Sequence, residues 1–462
     1  MHYHSTRGQA PQLDFESAVL TGLASDGGLY LPTEIPSFSM PHIANLQSLS
    51  YTELAFEIMW PFTGGMVPET DFKQMISEAY QPFRHAAIAP MKQIGTDEWV
   101  LELFHGPTLA FKDFALQFLG HLVDYFLKRR DEKVVILGAT SGDTGSAAMA
   151  GCQGRERMQS FILFPHGRIS EVQRRQMTTI PDANIHAVAL DGTFDDCQHI
   201  VKALFADAEF RKDHHLVAVN SINWARILAQ VVYYFYAALR LGAPARKVSF
   251  SVPTGNFGDI FAGYIAKRMG LPIDQLIIAT NSNDILTRCL KAGEYTMTGV
   301  TPTLSPSMDI QISSNFERLL FDLYEGNAET IHGLMQDFGT NKTITLDPQV
   351  YRRLKQHFAA ERVDDAATQA TIRAVYEATG ELLDPHTAIG VKAGRDCRTS
   401  DAPLVCLATA HPAKFPDAVE EACGITPVLP EHLADLHTRE ERSLHVANDI
   451  EAVKACIVEH KQ

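Results

Sequence analysis

Val248-Ser249-Phe250-Ser251-Val252-Pro253-Thr254-Gly255-Asn256-Phe257-Gly258-Asp259 reads as a strand, a glycine-bearing loop and the start of a helix. An apolar helical pattern follows over Ile260–Met269. Gly255 and Gly258 let the backbone turn tightly and approach a ligand closely. The amides of Asn256, Phe257, Gly258 and Asp259 would stand at the helix N-terminus, where a phosphate dianion is favoured. No Lys-Ser/Thr follows the glycines, so this is not a Walker A loop, and no Gly-x-Gly-x-x-Gly is present. Taken alone, the same turn also serves as a plain strand-to-helix connection.

Working outward, strand and helix alternate on both sides of this stretch. Upstream, Trp99–Phe104, Lys133–Leu137, Ser160–Phe164 and Asn184–Leu190 read as strands. Helices are expected over Lys112–Arg129, from Ser146, from Ser170 and over Asp195–Phe205. Ser170-Glu171-Val172-Gln173 has the spacing of a capping box. Asp195 and Asp196 fit an acidic first turn better than a catalytic pair. Downstream, Lys247–Val252, Gln275–Thr280 and Val405–Ala408 read as strands, and 311–380 as mainly helical. This rhythm predicts an α/β protein with two parallel-sheet lobes and ligands at the carboxyl ends of strands. Residues 1–90 read as a mostly helical N-terminal region, with patterns near Thr52–Met59 and Thr70–Ala79. The expected lobes are then 91–240 and 241–462.

The chain has 462 residues, and single domains run to roughly 100–200, so more than one lobe is expected on length alone. Its formal net charge of −15 disfavours a nucleic-acid partner. An anionic substrate must then be held by a local cluster of donors. The seven cysteines are scattered and form no Cys-x-x-Cys pair, which points to reduced thiols and to no metal site. The N-terminus lacks the apolar core of a signal peptide, and no apolar run approaches the ~18 residues that span a bilayer. A cytoplasmic protein without membrane contact is expected.

Two further segments carry chemistry. In His105-Gly106-Pro107-Thr108-Leu109-Ala110-Phe111-Lys112-Asp113, one lysine stands where an apolar loop becomes a helix. The positive helix end and apolar neighbours both favour the neutral, nucleophilic amine. An exposed helix lysine is the bland alternative. Gly138-Ala139-Thr140-Ser141-Gly142-Asp143-Thr144-Gly145-Ser146 places hydroxyls and glycines at a strand's carboxyl end. Such a loop offers donors to a carboxylate or phosphate, or simply caps the next helix. It lacks the Gly-x-Ser-x-Gly of a nucleophile elbow.

Together these segments resemble the threonine synthase family, within the fold type II enzymes that use pyridoxal 5'-phosphate (PLP). Ser5-Thr6-Arg7-Gly8, Asp26-Gly27-Gly28-Leu29-Tyr30 and Leu407-Ala408-Thr409-Ala410-His411-Pro412-Ala413-Lys414-Phe415 are similar to family segments in the same order. The resemblance implies that Lys112 carries PLP as a Schiff base and acts as the catalytic lysine. It implies that Gly255, Asn256, Phe257 and Gly258 hold the cofactor phosphate, and that Thr409 hydrogen-bonds the pyridine nitrogen. Position 143 would face the phenolic oxygen. Relatives often have asparagine there, and a carboxylate would repel a phenolate unless a proton is shared. Thr140, Ser141 and Thr144 belong to the loop expected to close on substrate. Asn220, Ser221 and Arg226 would contact the phosphate of O-phospho-L-homoserine, with Lys414 a weaker candidate. The implied reaction gives L-threonine and phosphate, from a monomer or homodimer.

Other readings stay open at this level. A phospho-amino-acid lyase or a serine/threonine dehydratase would use the same scaffold. A non-catalytic binding relative would have no need of Lys112. His105 and His411 fit structural hydrogen bonds better than proton carriage, and Tyr233–Tyr236 fits core packing.

Overall fold

The computed structural model describes residues 1–140, 142–218 and 221–461. The chain divides into two compact units, each gathered from separated stretches. One comprises Met1–Ser77, Phe83–His105 and Ser221–Pro427; the other comprises Glu78–Pro82, Gly106–Asn220 and Val428–Gln462. These units do not follow the three successive regions set out from the sequence. Strand pairing sends the chain back: Leu404–Ala408 pairs with Glu98–Glu102, and Leu444–Val446 with Ile185–Leu190.

The first unit is built on a six-stranded sheet. Its order is Phe358–Arg362, Ile273–Thr280, Val248–Pro253, Leu404–Ala408, Glu98–Glu102, Met91–Gly95. All neighbours are parallel except the last pair. The central strands are buried along their whole length, as strands covered on both faces must be. Ala388, Ile389, Val391 and Ala393 of the helix Pro385–Cys397 pack in one core with Val100, Ile277, Leu404 and Cys406. The helix Trp224–Arg240 is buried from Trp224 to Leu239, so Tyr233–Tyr236 lie in the core as the sequence suggested. In the N-terminal region, helices span Tyr51–Met59 and Glu69–Tyr80, close to the expected ranges. The stretch 311–380 is mainly helical with two strand interruptions: Thr343–Thr345 pairs with Glu294–Thr296, and Phe358–Arg362 forms the edge of the main sheet.

The second unit carries a five-stranded parallel sheet, ordered Leu444–Val446, Ile185–Leu190, Met158–Pro165, Val134–Ala139, Leu216–Ala218. Val135, Leu137, Phe161, Leu163, Val188 and Leu190 form its core with Cys197, Ile200 and Leu204 of the helix Phe194–Ala206. That helix begins with a full capping box between Thr193 and Asp196, which disposes of the acidic pair structurally. At Ser170 only half of the expected box forms. The Ser170 hydroxyl accepts from the Gln173 amide at 3.3 Å, but the Gln173 side chain donates elsewhere, to Asp143. The helix predicted from Ser146 starts at Asp143, because the turn before it is closed by Gly145 N–H to Gly142 O at 3.1 Å.

The helix Lys112–Arg130 crosses the helix Asp143–Cys152 through two glycines. A Cβ on Gly120 would lie 2.0 Å from Gly151 O, and one on Gly151 would lie 2.5 Å from Leu116 O. These contacts are to backbone, which cannot move aside. Gly120→Val should therefore destabilise the second unit by about 1–3 kcal/mol or more through overpacking. Denaturant titration with an unchanged m-value is the expected result.

Candidate active site

In the second unit, Lys112 opens its helix and is only 9% exposed. The loop before it is fastened by the next residue. Asp113 is fully buried and accepts from Thr108 N–H at 2.9 Å and from the Thr108 hydroxyl at 2.6 Å. Gly106 is required there, since a Cβ would stand 2.5 Å from Asp113 Cβ. Gln176 Nε2 donates to Thr108 O at 3.1 Å. Lys112 Nζ is thereby set 3.5 Å from Asp143 Oδ2 and 5.3 Å from the Phe111 ring centroid. The other carboxylate oxygen of Asp143 accepts from Gln173 Nε2 at 2.9 Å. An amine held this way can exchange a proton with the carboxylate beside it.

The Thr140 hydroxyl is committed to its own loop. It accepts from Gly142 N–H at 3.0 Å and Gly145 N–H at 2.9 Å, and donates to Gly142 O at 2.9 Å. Thr144 is half-buried in the first turn of the following helix. Ser141 and Asn220 lie outside the described residues.

In the first unit, the loop 254–258 leaves the strand Val248–Pro253 and Thr409 leaves the neighbouring parallel strand Leu404–Ala408. Both therefore stand at the carboxyl edge of one sheet, and Thr409 is buried. Phe257 sits at φ 64°, a left-handed conformation that is unusual for a bulky residue. Its ring packs against Phe316 at 5.4 Å and Phe358 at 5.8 Å, which holds the backbone there. The first intrahelical bond runs from Phe261 N–H to Phe257 O at 3.1 Å, so the amides of Gly258, Asp259 and Ile260 have no acceptor within the helix. Two of the loop's carbonyls are already bound. Gly255 O accepts from the Ser313 hydroxyl at 2.6 Å, and Asn256 O accepts from Asn315 N–H and Nδ2, both at 3.0 Å.

That latch, Ser313–Arg318, has no counterpart in the sequence reading. Arg318 is fully buried. It donates to Tyr30 O from Nε at 3.2 Å and from Nη2 at 2.9 Å, to Ile222 O at 2.5 Å, and to the Asn315 side chain. Burial lowers its pKa to about 9, which still leaves it a cation at neutral pH. Glu317 binds the Thr6 hydroxyl at 2.6 Å and Arg7 Nη2 at 2.9 Å. Asn315 Nδ2 also donates to Ser221 O at 3.1 Å. The quoted segments 5–8, 26–30, 221–226 and 255–258 thus converge on one short stretch.

Arg226 is buried in the first turn of the helix Trp224–Arg240, and burial brings its pKa down to about 10. Ser221 is half-buried. Lys414 is buried in the turn Pro412–Lys414, whose start is capped by His411 Nδ1 accepting from Ala413 N–H at 3.1 Å. Burial lowers the His411 pKa to about 4, so the ring is neutral in this structural role. His105 Nε2 lies 2.7 Å from Glu102 Oε2, likewise a local contact.

Comparison with protein families matches residues 2–80 to "Threonine synthase N terminus", 79–409 to "Pyridoxal-phosphate dependent enzyme" and 387–457 to "Threonine synthase, C-terminal". The chain is 57% identical to a threonine synthase of Pseudomonas aeruginosa, across 100% of this chain and 98% of that one. The chain belongs to the threonine synthase family. It is accordingly a PLP-dependent enzyme on an α/β fold of type II. A crystal structure of PLP-bound threonine synthase from Brucella melitensis is similar with a TM-score of 0.99 and 55% identity, each chain covered fully. The threonine synthase from yeast gives 0.95 at 44% identity, over 99% of this chain and 98% of that one. A threonine deaminase isoform from Solanum lycopersicum, 12% identical with a TM-score of 0.52, shares the fold alone.

Asn315→Ala would take the side-chain donor from Ser221 O and an acceptor from the buried Arg318, while Asn256 O keeps the main-chain N–H of residue 315. Unsatisfied buried groups cost about 1–3 kcal/mol, so the midpoint of denaturation should fall accordingly. A midpoint unchanged from wild type would show that the latch contributes nothing.

Proposed function

We propose that this enzyme converts O-phospho-L-homoserine and water to L-threonine and phosphate, with Lys112 carrying the cofactor. The observation that supports the reading most is the buried Lys112 amine, 9% exposed and 3.5 Å from the Asp143 carboxylate. A lysine placed so is withdrawn from bulk water and has a proton partner at hand. The residues fit the cofactor's phosphate as well. The left-handed turn at Phe257 leaves the amides of Gly258 and Asp259 without helical acceptors, and the neighbouring carbonyls of Gly255 and Asn256 are bound by Ser313 and Asn315. Bound PLP supplies an electron sink for the carbanion left when the substrate loses its α-proton.

The protein's own groups do the rest. Lys112 Nζ takes the α-proton and returns it, with Asp143 adjusting the charge on the amine. Thr409 gives the pyridine nitrogen a neutral hydroxyl partner, which tunes it more weakly than a carboxylate would. Gly255, Asn256, Phe257 and Gly258 hold the cofactor phosphate. Arg226, Ser221 and Thr144, together with Ser141 and Asn220, hold the substrate's phosphate through to its departure. Arginine suits this task because its fork matches phosphate oxygens. Thr140 acts by shaping its loop. The same reading gives a cytoplasmic monomer or homodimer.

Borohydride treatment of PLP-loaded protein, followed by peptide mapping, should place the label on Lys112. A label on another lysine would overturn the assignment. Incubation with O-phospho-L-homoserine should yield threonine; formation of 2-oxobutyrate would favour a lyase. Arg226→Ala should raise KM for the phosphorylated substrate by about 10-fold or more while cofactor binding persists, as expected when a charge-assisted contact worth about 1.5–3 kcal/mol is lost.

A further inference from the structure

Beside the phosphate loop lies a carboxyl group that the mechanism does not use. Asp259 is the second residue of the helix Gly258–Arg268 and is buried. Tyr233 and Tyr234 of the helix Trp224–Arg240 both donate to the same oxygen, Oδ1, at 2.6 and 2.9 Å. Tyr234 also reaches Asp259 O at 3.0 Å. The second oxygen, Oδ2, is buried with no hydrogen-bond partner among the described residues. No lysine or arginine pairs with this carboxyl there. Around the cluster, Tyr51 acts electrostatically on Tyr233, and Tyr233 on Arg226. On the neighbouring helix Phe316–Leu323, Glu317 is engaged by Arg7 and Asp322 by Arg268. The strand Val248–Pro253 carries no charged residue.

A carboxylate so placed is held by neutral donors at one oxygen only. Burial raises its pKa to about 6, opposed by the two tyrosine hydroxyls. Its stability contribution is therefore largest at low pH and is lost as pH rises through that value. The free helix end offsets part of the cost while it faces water. A phosphate dianion at the same helix end brings like charge, which disfavours the ionised carboxyl further.

We propose that Asp259 takes up a proton from solvent when the loop 255–258 receives the cofactor phosphate, so that PLP capture is coupled to protonation of this buried Tyr-Asp-Tyr cluster. The inference rests on the phosphate-loop reading given above. It makes Asp259 a positioning residue: the neutral acid lets a dianion sit at the helix end without a second charge behind it.

The test is infrared difference spectroscopy of PLP-loaded minus PLP-free protein at pH 7.5, with PLP binding followed in parallel by visible absorbance. A gain in the carbonyl stretch of a protonated carboxylic acid is expected, and Asp259→Asn should abolish it. Calorimetry in buffers of different ionisation enthalpy should show about one proton fewer taken up per chain by Asp259→Asn. If that variant does not fold, Tyr233→Phe keeps the carboxyl and removes one donor, and should move the band. Binding of PLP with no such band, or a band indifferent to both substitutions, would overturn the proposal. Failure to bind PLP at all would instead sink the phosphate-loop reading.

Discussion

A guanidinium sealed from water must find acceptors for its N–H groups, and in the first unit that demand organises everything around the loop. Arg318 meets it with main-chain carbonyls of Tyr30 and Ile222 and with the Asn315 side chain. Those acceptors belong to segments far apart in the chain. Because burying an unpaired cation costs several kcal/mol, the arrangement is all or nothing. Once it forms, Asn315 is fixed, and Asn315 in turn holds the carbonyl of Asn256 and that of Ser221. The amides of Gly258, Asp259 and Ile260 are left without acceptors within the helix. The fixed backbone of this loop is thus the by-product of satisfying a buried arginine.

The second unit reaches its lysine by a different route, through the absence of side chains. Gly120 and Gly151 bring two helices into backbone contact. The N-terminal ends of those helices carry Lys112 and Asp143. Gln173, recruited from what looked like a capping box, holds the carboxylate from behind. Asp113 then locks the approach loop from the front. The amine and its carboxylate are consequently held by packing and not by their mutual attraction, which is weak compensation for desolvation.

The periodic parts of this architecture were readable in advance. Alternating apolar strands and amphipathic helices gave both parallel sheets, and the boundaries of the helix at Lys112 fell within one residue. Glycine-rich turns marked the two strand-to-helix loops before Asp143–Cys152 and Gly258–Arg268. What escaped was whatever depends on partners distant in sequence. Nothing local distinguishes Ser313–Asn315 as a latch, since its bonds run to residues 221, 255 and 256. The left-handed backbone at Phe257 is imposed by packing, against the preference of an aromatic residue. Phe358–Arg362 is short and charged at one end, and pairs as an edge strand only because Leu276–Thr280 offers a register. The capping-box spacing foresaw Gln173 only as a local acceptor, and its amide N–H instead reaches the buried Asp143 carboxylate, thirty residues away in sequence.

One pairing bears on how the molecule is made. Val446 bonds alongside Leu190 at the border of the second sheet, yet all of Ser221–Pro427 is translated between them. On the ribosome, the Ile185–Leu190 strand therefore waits as an open border, rich in β-branched and aliphatic residues, until the late segment arrives. Open borders of that kind recruit stray strands. The growing polypeptide must keep this one shielded for much of its synthesis, which makes the nascent chain, more than the finished enzyme, the form most exposed to mispairing.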